Sequence, residues 1–129
     1  MEANNDLKPW YPEYDNTLSD RCKDLIKNFP FRQIVGSLLY LSIWTRTDIC
    51  FAVHRVAKFS MHPTLESVHA CKRILSYIQC TKQLGLSFHP GSKVLTTFVD
   101  SSFADVPENR KSTGGQIQFL GYFPIYWET

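Results

Sequence analysis

The stretch that decides the fold is DSSFADVPENRKSTGG, at residues 100–115. An apolar run at residues 95–99 ends on Asp100, a polar and basic turn follows, and a second strand-like run covers residues 116–120. This order predicts two antiparallel strands joined by a basic loop. A carboxylate at a strand end beside such a loop is typical of the first ligand in a metal-dependent phosphodiester-cleaving site.

More strands are predicted on both sides of this stretch. Upstream, Leu84, Leu86 and Phe88 alternate with small or polar residues before a turn at residues 90–92. Downstream, Gly121 and Tyr122 form a tight hairpin link to a run at residues 123–127. Residues 83–129 therefore predict three or four antiparallel strands, the opening part of a larger sheet.

Further upstream the apolar period changes to that of helices, and residues 30–82 predict three of them. Ile34, Leu38 and Leu41, with Val35 and Leu39 alongside, form one apolar face of the first. Thr47 or Asp48 caps the second, which continues through Ile49, Val53 and Val56. Thr64 caps the third, whose apolar stripe is Val68, Cys71, Leu75 and Ile78. Residues 1–29 are polar and predict a leader, linker or surface-draped arm, with a helical turn around residues 20–27. The fold class is α+β.

Composition restricts the class of protein. The 129 residues are 43% hydrophobic, enough for a core, and the net charge of +2 permits nucleic acid as a partner without requiring it. The start of the chain is polar and acidic, unlike a secretory signal, and four cysteines show no CxxC pair. The longest apolar stretch is too short to cross a bilayer. We expect a soluble protein of the cytoplasm or nucleus with reduced thiols and no membrane partner.

Five short motifs occur in an order that resembles a known family. They are FRQIVGSLLYL at 31–41, TRTDICFAV at 45–53, ACKRILSYI at 70–78, GL at 85–86 and RKSTGG at 110–115. Together they resemble the Pol polyprotein of copia-type retrotransposons, where reverse transcriptase runs into ribonuclease H. The resemblance covers about residues 30–128 and leaves residues 1–29 unassigned.

The resemblance implies a division of labour. The helices at 30–82 would be a thumb-like or connection region that grips nucleic acid, and the strands at 83–129 the first strands of ribonuclease H. Asp100 would be its first catalytic carboxylate and a Mg²⁺ ligand, while Ser102 stands where the family has a second acidic residue. Thr47 likewise replaces the proline of the family's Thr-Arg-Pro-Asp motif.

Catalysis is not expected from the chain alone. Two Mg²⁺ ions need several converging carboxylates, and the family's remaining acids lie beyond residue 129. The polymerase motif Tyr-x-Asp-Asp is absent. The parent enzyme would use Mg²⁺, whereas this chain is expected to hold no cofactor and to be silent, with Asp100 an ordinary solvated strand-end residue.

Two groups of residues are candidates for nucleic-acid contact. Lys72 and Arg73 on the third helix, supported by Arg55 and Lys58 on the second, either face a phosphate backbone or are simply solvated. The loop residues offer two cations, two hydroxyls and glycine N–H donors, although the order is not that of a P-loop. They are Arg110, Lys111, Ser112 and Thr113. A plain hairpin loop is the alternative.

Cysteine and histidine side chains offer a weaker signal. Cys50, His54, His69 and Cys71 are of metal-binding type, but their spacing fits no zinc pattern, and we interpret them as packing residues.

Three functions therefore stay open for the chain itself. It is a catalytically silent Pol segment, or a module co-opted to bind an RNA–DNA hybrid, other nucleic acid or a Pol-like protein, or an expressed pseudogene product without a selected role.

Overall fold

The computed structural model describes residues 7, 13–88, 91, 93–102 and 112–129. Within these residues a group of helices precedes a three-stranded antiparallel sheet, which confirms the α+β class. No helix in this part of the chain is long and apolar enough to cross a membrane. The four α-helices are α1 Asp20–Asn28, α2 Phe31–Trp44, α3 Cys50–Ala57 and α4 Leu65–Cys80. The strands are β1 Leu95–Ser102, β2 Thr113–Leu120 and β3 Phe123–Glu128.

The core lies among α2, α3 and α4, and its apolar residues recur at helical spacing. Val53 and Val68 are completely buried at its centre. The other buried members are Phe31, Val35, Leu38, Ile49, Val56, Cys71 and Ile74. The predicted positions Leu38, Ile49, Val53 and Val56 are thus confirmed. On α2, Val35 joins Leu38 in the buried core, while Ile34, Leu39 and Leu41 are only partly buried at its margin.

The apolar stripe of α4 differs from the predicted one. Ile74 is 7% exposed and joins the core, while Leu75 is 38% exposed. Thr64 caps the helix as predicted, since its hydroxyl accepts from the Ser67 N–H and Ser67 Oγ accepts from the Thr64 N–H. Helical period alone cannot separate the two adjacent apolar residues Ile74 and Leu75. The neighbouring helices select Ile74.

The start of α3 also differs from the prediction. A short 3₁₀ turn, Thr47–Ile49, leads into α3, and neither Thr47 nor Asp48 gives it a side-chain cap. The Asp48 carboxylate is instead taken by Arg46, with both of its oxygens accepting hydrogen bonds at 2.9 and 2.8 Å. A charge-assisted bidentate pair outcompetes a capping bond, because its two bonds involve ionised groups on both sides.

The segment before α2 lies against the helices. Tyr14 is buried; its hydroxyl donates to Glu66 at 2.7 Å and accepts from the Leu65 N–H at 2.9 Å. Burial and the Glu66 carboxylate raise the pKa of Tyr14 to about 12. Among the alternatives for residues 1–29, this favours an arm draped on the surface, at least from residue 13 onward, and α1 is a full helix rather than a single turn.

The sheet has the order β1-β2-β3, with β1 and β3 at its edges. Phe98, Ile117 and Trp127 stand opposite one another in the register and therefore project to one side, which we call the Trp127 face. Leu120 pairs with Phe123, and Gly121 between them has φ of 64°. This is the predicted tight hairpin, in which glycine adopts a left-handed conformation without Cβ strain.

The predicted strand at residues 84–88 is absent, because these residues form neither helix nor strand. Phe88 packs its ring edge-on against Phe123 of β3, with centroids 5.2 Å apart. A strand at this edge would need donors and acceptors from β3, whose Pro124 has no N–H and whose register shifts near Phe119. The alternation of apolar and polar residues at 84–88 is therefore not sufficient to make this segment pair with β3.

One hydrogen bond ties the sheet to the helices. The indole Nε1–H of Trp127 donates to the backbone carbonyl of Ser42 on α2, at 2.6 Å. This contact turns the Trp127 face toward the helices and encloses a groove between them.

Candidate functional site

The candidate site is a groove of about 840 Å³ between the start of α3 and the Trp127 face of the sheet. Thr47, Cys50 and Phe51 form its helical wall, and residues near the Ser102–Thr113 end of the β1–β2 ladder, including Asp100, form the other side. The fold thus brings together two segments that lie some fifty residues apart in the chain.

Asp100 sits near the end of β1 with its side chain exposed. One carboxylate oxygen accepts a hydrogen bond from the Ser101 N–H at 2.9 Å. Gly115 is its partner across the ladder. A Cβ at Gly114 or Gly115 would meet backbone only at 3.9 and 3.6 Å, which is ordinary contact. Packing therefore does not require the two glycines. Gly115, on the same face as Asp100, leaves the floor beside that carboxylate without a side chain.

Glu128 also lines the groove but does not converge with Asp100. It pairs in register with Gln116, one row away from the Asp100–Gly115 row, so the two carboxylates project from opposite faces. Gln116 donates to one Glu128 oxygen at 2.6 Å, and the Tyr126 hydroxyl donates to the other. These bonds, that of Tyr126 first, hold the pKa of Glu128 below its ordinary value.

The described residues do not fit a two-metal centre. No group of three or more His, Cys, Asp or Glu side chains gathers at one point in this part of the chain. Mg²⁺ requires near-octahedral oxygen ligation, and a pair of ions requires several bridging carboxylates. Asp100 supplies one carboxylate and Ser102, on the same face, supplies only a hydroxyl. The loop acids Asp105 and Glu108 lie outside the described residues.

The helical wall joins an aromatic ring to a cation. Phe51 is half exposed, and the guanidinium carbon of Arg55 lies 5.9 Å from its ring centroid. A flat exposed ring beside a fixed positive charge suits a nucleic-acid base and its phosphate. Arg55 appeared in the sequence only as support for the α4 cations. In the sequence, the only indication of this pair is that Phe51 and Arg55 are four residues apart, about one helical turn.

Cys50 and His54 interact with each other on α3, as expected of packing residues. Their Sγ and Nδ1 atoms are 3.4 Å apart, and His54 Nδ1 also lies 3.0 Å from the Cys50 carbonyl oxygen. Burial raises the pKa of the Cys50 thiol, and that of Cys71 to about 11. Both thiols are therefore protonated near neutral pH and poor as nucleophiles. His69 is exposed on α4, directed away from buried Cys71.

The two predicted cations that the structure describes, Lys72 and Arg73, do not line the groove. Lys72 and Arg73 are exposed on α4, where the Lys72 ammonium lies 5.6 Å from the Phe29 ring centroid. Thr113 begins β2, lines the groove, and its carbonyl accepts from the Ser102 hydroxyl at 3.3 Å. Ser112 is exposed just before it. Arg110 and Lys111 lie outside the described residues.

Arg46 is a structural residue that the sequence reasoning missed. Its side chain is 6% exposed, and besides Asp48 it donates to the carbonyl and hydroxyl of Thr81, at 3.2 and 2.7 Å. It thereby joins the α2–α3 turn to the end of α4. The signal was an arginine two residues before an aspartate between apolar helices, but its distant partner was not visible in the sequence.

Comparison with known proteins gives consistent relatives. The chain is 40% identical to the retrovirus-related Pol polyprotein from transposon RE1 of Arabidopsis thaliana, over 77% of this chain and 7% of that polyprotein. It is 42% identical to an uncharacterized mitochondrial protein of the same plant, over 75% of this chain and 40% of that protein. A second uncharacterized mitochondrial protein from Arabidopsis thaliana is 33% identical over 69% of this chain and 78% of its own length.

The chain thus spans a small part of the Pol polyprotein and less than half of the first mitochondrial relative. No protein-family model matches it, and no solved structure matches it significantly.

Proposed function

Because the chain belongs to the family of Pol polyproteins from copia-type transposons, we propose that it is the Pol region where reverse transcriptase ends and ribonuclease H begins. The observation that carries the proposal is the position of Asp100, an exposed carboxylate near the end of β1 beside the bare backbone of Gly115. A nuclease needs such an acid where a phosphodiester can approach it. In the whole polyprotein the activities would be RNA-directed DNA synthesis and hydrolysis of RNA in a hybrid.

For the chain itself we propose binding without cleavage. Asp100 is one carboxylate, and Glu128 projects from the other face of the sheet, so the described residues leave a pair of metal ions without enough ligands. The groove nevertheless retains two features that suit nucleic acid, the Phe51 ring and an open floor, and the Arg55 guanidinium lies beside that ring. Lys72 and Arg73 add positive charge on α4.

Binding of a labelled RNA–DNA hybrid to the full chain, without metal and across a salt series, tests this proposal. We expect saturable binding whose logarithm falls linearly with the logarithm of salt concentration. Replacing both Lys72 and Arg73 by alanine should make the slope shallower by about 2 if each contacts a phosphate. The matched control removes Lys23 and Lys27, two exposed lysines of α1, and should leave the slope unchanged.

Cleavage is measured on the same hybrid with Mg²⁺ present. We expect none above background for the unaltered chain and none for Asp100→Asn. Cleavage that disappears in Asp100→Asn would show that the chain is an active nuclease. Failure of a folded sample to bind at the lowest salt would remove the binding proposal.

A further inference from the structure

The segment that precedes α2 is attached to the first turn of α4. We call residues 13–29 of this segment the arm. The buried Tyr14 hydroxyl donates to Glu66 at 2.7 Å and accepts from the Leu65 N–H at 2.9 Å. One hydroxyl thus serves both a carboxylate and a backbone donor of α4, and its removal takes a partner from each of them.

The other end of the arm lies beside one of the two α4 cations. Phe29 directly follows α1, and its ring centroid is 5.6 Å from the Lys72 ammonium. A cation–π contact of this kind places the ring against one side of the ammonium. α1 itself packs against α4. On that side of Lys72, the arm takes the place that a phosphate backbone would need.

Between its two ends the arm is packed loosely. None of the nine residues of α1 is fully buried. Leu25 and Ile26 are only partly buried against the core formed by α2, α3 and α4. An element that buries so little apolar surface opens at a lower free energy than the core helices do. The arm is therefore able to leave α4 while the core stays folded.

The charge of this segment is opposite to that of the helices that follow it. Residues 1–29 contain six acidic and four basic residues, whereas residues 30–82 contain two acidic and seven basic ones. The segment that includes the arm thus has the same sign of net charge as a nucleic acid. Charges within about 8–10 Å of each other still interact at moderate salt. An acidic arm on α4 therefore lowers the attraction of that helix for phosphate.

We propose that the arm is autoinhibitory: while Tyr14 holds it on α4, it competes with nucleic acid for the side of the helix that carries Lys72 and Arg73. This inference rests on the proposed binding of nucleic acid. When the arm opens, that side of α4 becomes available, and a bound duplex then keeps the arm open. Because such coupling is reciprocal, a change that loosens the arm strengthens binding, and binding loosens the arm.

Tyr14→Phe in the full chain tests the proposal. It keeps the ring and removes the hydroxyl, so amide hydrogen exchange in α1 should become about fivefold faster, as for the loss of one ordinary hydrogen bond. A labelled RNA–DNA hybrid should bind about fivefold more tightly, because the open arm is populated that much more. Tyr122→Phe, at a side chain 81% exposed in the β2–β3 hairpin, is the matched control and should change neither.

Two further measurements separate autoinhibition from a purely structural role of the arm. Replacing Asp20 and Asp24 by asparagine, at two exposed positions of α1, lowers the acidic charge without touching Tyr14, and it should also tighten hybrid binding. When Lys72 and Arg73 are both alanine, Tyr14→Phe should give no gain in affinity. A gain in affinity is a result that misfolding cannot mimic.

Unchanged or weaker hybrid binding by a Tyr14→Phe chain whose α1 amides exchange faster overturns the proposal, because the arm would then only support α4. A gain that persists without Lys72 and Arg73 overturns it as well. Failure of the unaltered chain and of every variant to bind the hybrid would instead remove the proposed function on which this inference rests.

Discussion

Arg46 is a buried side chain whose hydrogen bonds join the turn between α2 and α3 to the end of α4. Its guanidinium binds both oxygens of Asp48, two groups of Thr81, and stands 5.7 Å from the Tyr77 ring centroid. The hydrogen bonds from Arg46 to Asp48 hold the pKa of that carboxylate below its ordinary value. A buried guanidinium is favourable only when its N–H groups are hydrogen-bonded. The stability of this part of the fold therefore depends on both Asp48 and Thr81.

Arg46→Met is expected to lower the free energy of unfolding by about 2–3 kcal/mol at neutral pH, somewhat less than for a fully buried pair because Asp48 is 32% exposed. The loss should shrink in acid. A carboxylate with a depressed folded pKa stabilises the fold above its unfolded pKa, near 3.8, and this contribution disappears as pH falls through the folded value. Urea titrations at several pH values measure both effects.

Arg32→Met is the matched control. Arg32 is exposed and donates one bond, from Nε to the Ser60 carbonyl at 2.8 Å. It should cost less than about 1 kcal/mol, with no dependence on acid. Equal losses for the two variants would contradict the role given to Arg46.

At the scale of an element, α4 offers a sharp contrast between adjacent residues. Ile74→Ala is expected to cost about 3 kcal/mol, because it leaves a cavity in the core between α2, α3 and α4. Leu75→Ala should cost less than about 1 kcal/mol, since Leu75 is 38% exposed. Thermal or urea unfolding of both variants measures the difference. A larger loss of stability for Leu75→Ala than for Ile74→Ala would mean that Leu75, not Ile74, lies on the buried face of α4.

The sequence predicted the helices better than their faces. Val53, Val56 and the Thr64 cap follow from local period and capping chemistry, which a short window contains. The choice of Ile74 over Leu75 depends on where the neighbouring helices lie. The missing strand at 84–88 depends on the state of the β3 edge, which is nearly forty residues away.

The candidate site divides in the same way. The place of Asp100 at a strand end was readable from residues 95–102, because a strand and its end are local. The Phe51 wall was not, since only the folded chain brings α3 to the sheet. Glu128 was not singled out either, as its engagement with Gln116 and Tyr126 comes from pairing in the sheet.

At the scale of the whole molecule, the sheet and the helices are joined at few points. The Trp127–Ser42 hydrogen bond is the side-chain bond that connects them among the described residues. The helical core, by contrast, shares nine buried residues. Two parts that share so little contact are expected to open separately.

Trp127→Phe should therefore affect the two parts unequally. It keeps an aromatic ring but removes the N–H, so the amides of β2 and β3 should lose about 1 kcal/mol of protection against hydrogen exchange. Protection in α2–α4 should change by less than half of that. Trp44→Phe, at a side chain 62% exposed on α2, is the control and should alter neither. An equal loss in helices and strands would mean that the chain opens as one unit.

The turn between α2 and α3 has a consequence for how the chain can vary in length. The Ser42 carbonyl at the end of α2 accepts a hydrogen bond from Trp127, and Arg46 in the turn donates to Thr81, so residues 85 and 35 positions further along the chain are both anchored to the short stretch 42–46. The connecting residues 82–94 run between fixed ends and carry no helix or strand where they are described. Lengthening such a connection costs only a logarithmic entropy term. Insertions should accumulate there, while the anchored turn keeps its spacing residue for residue.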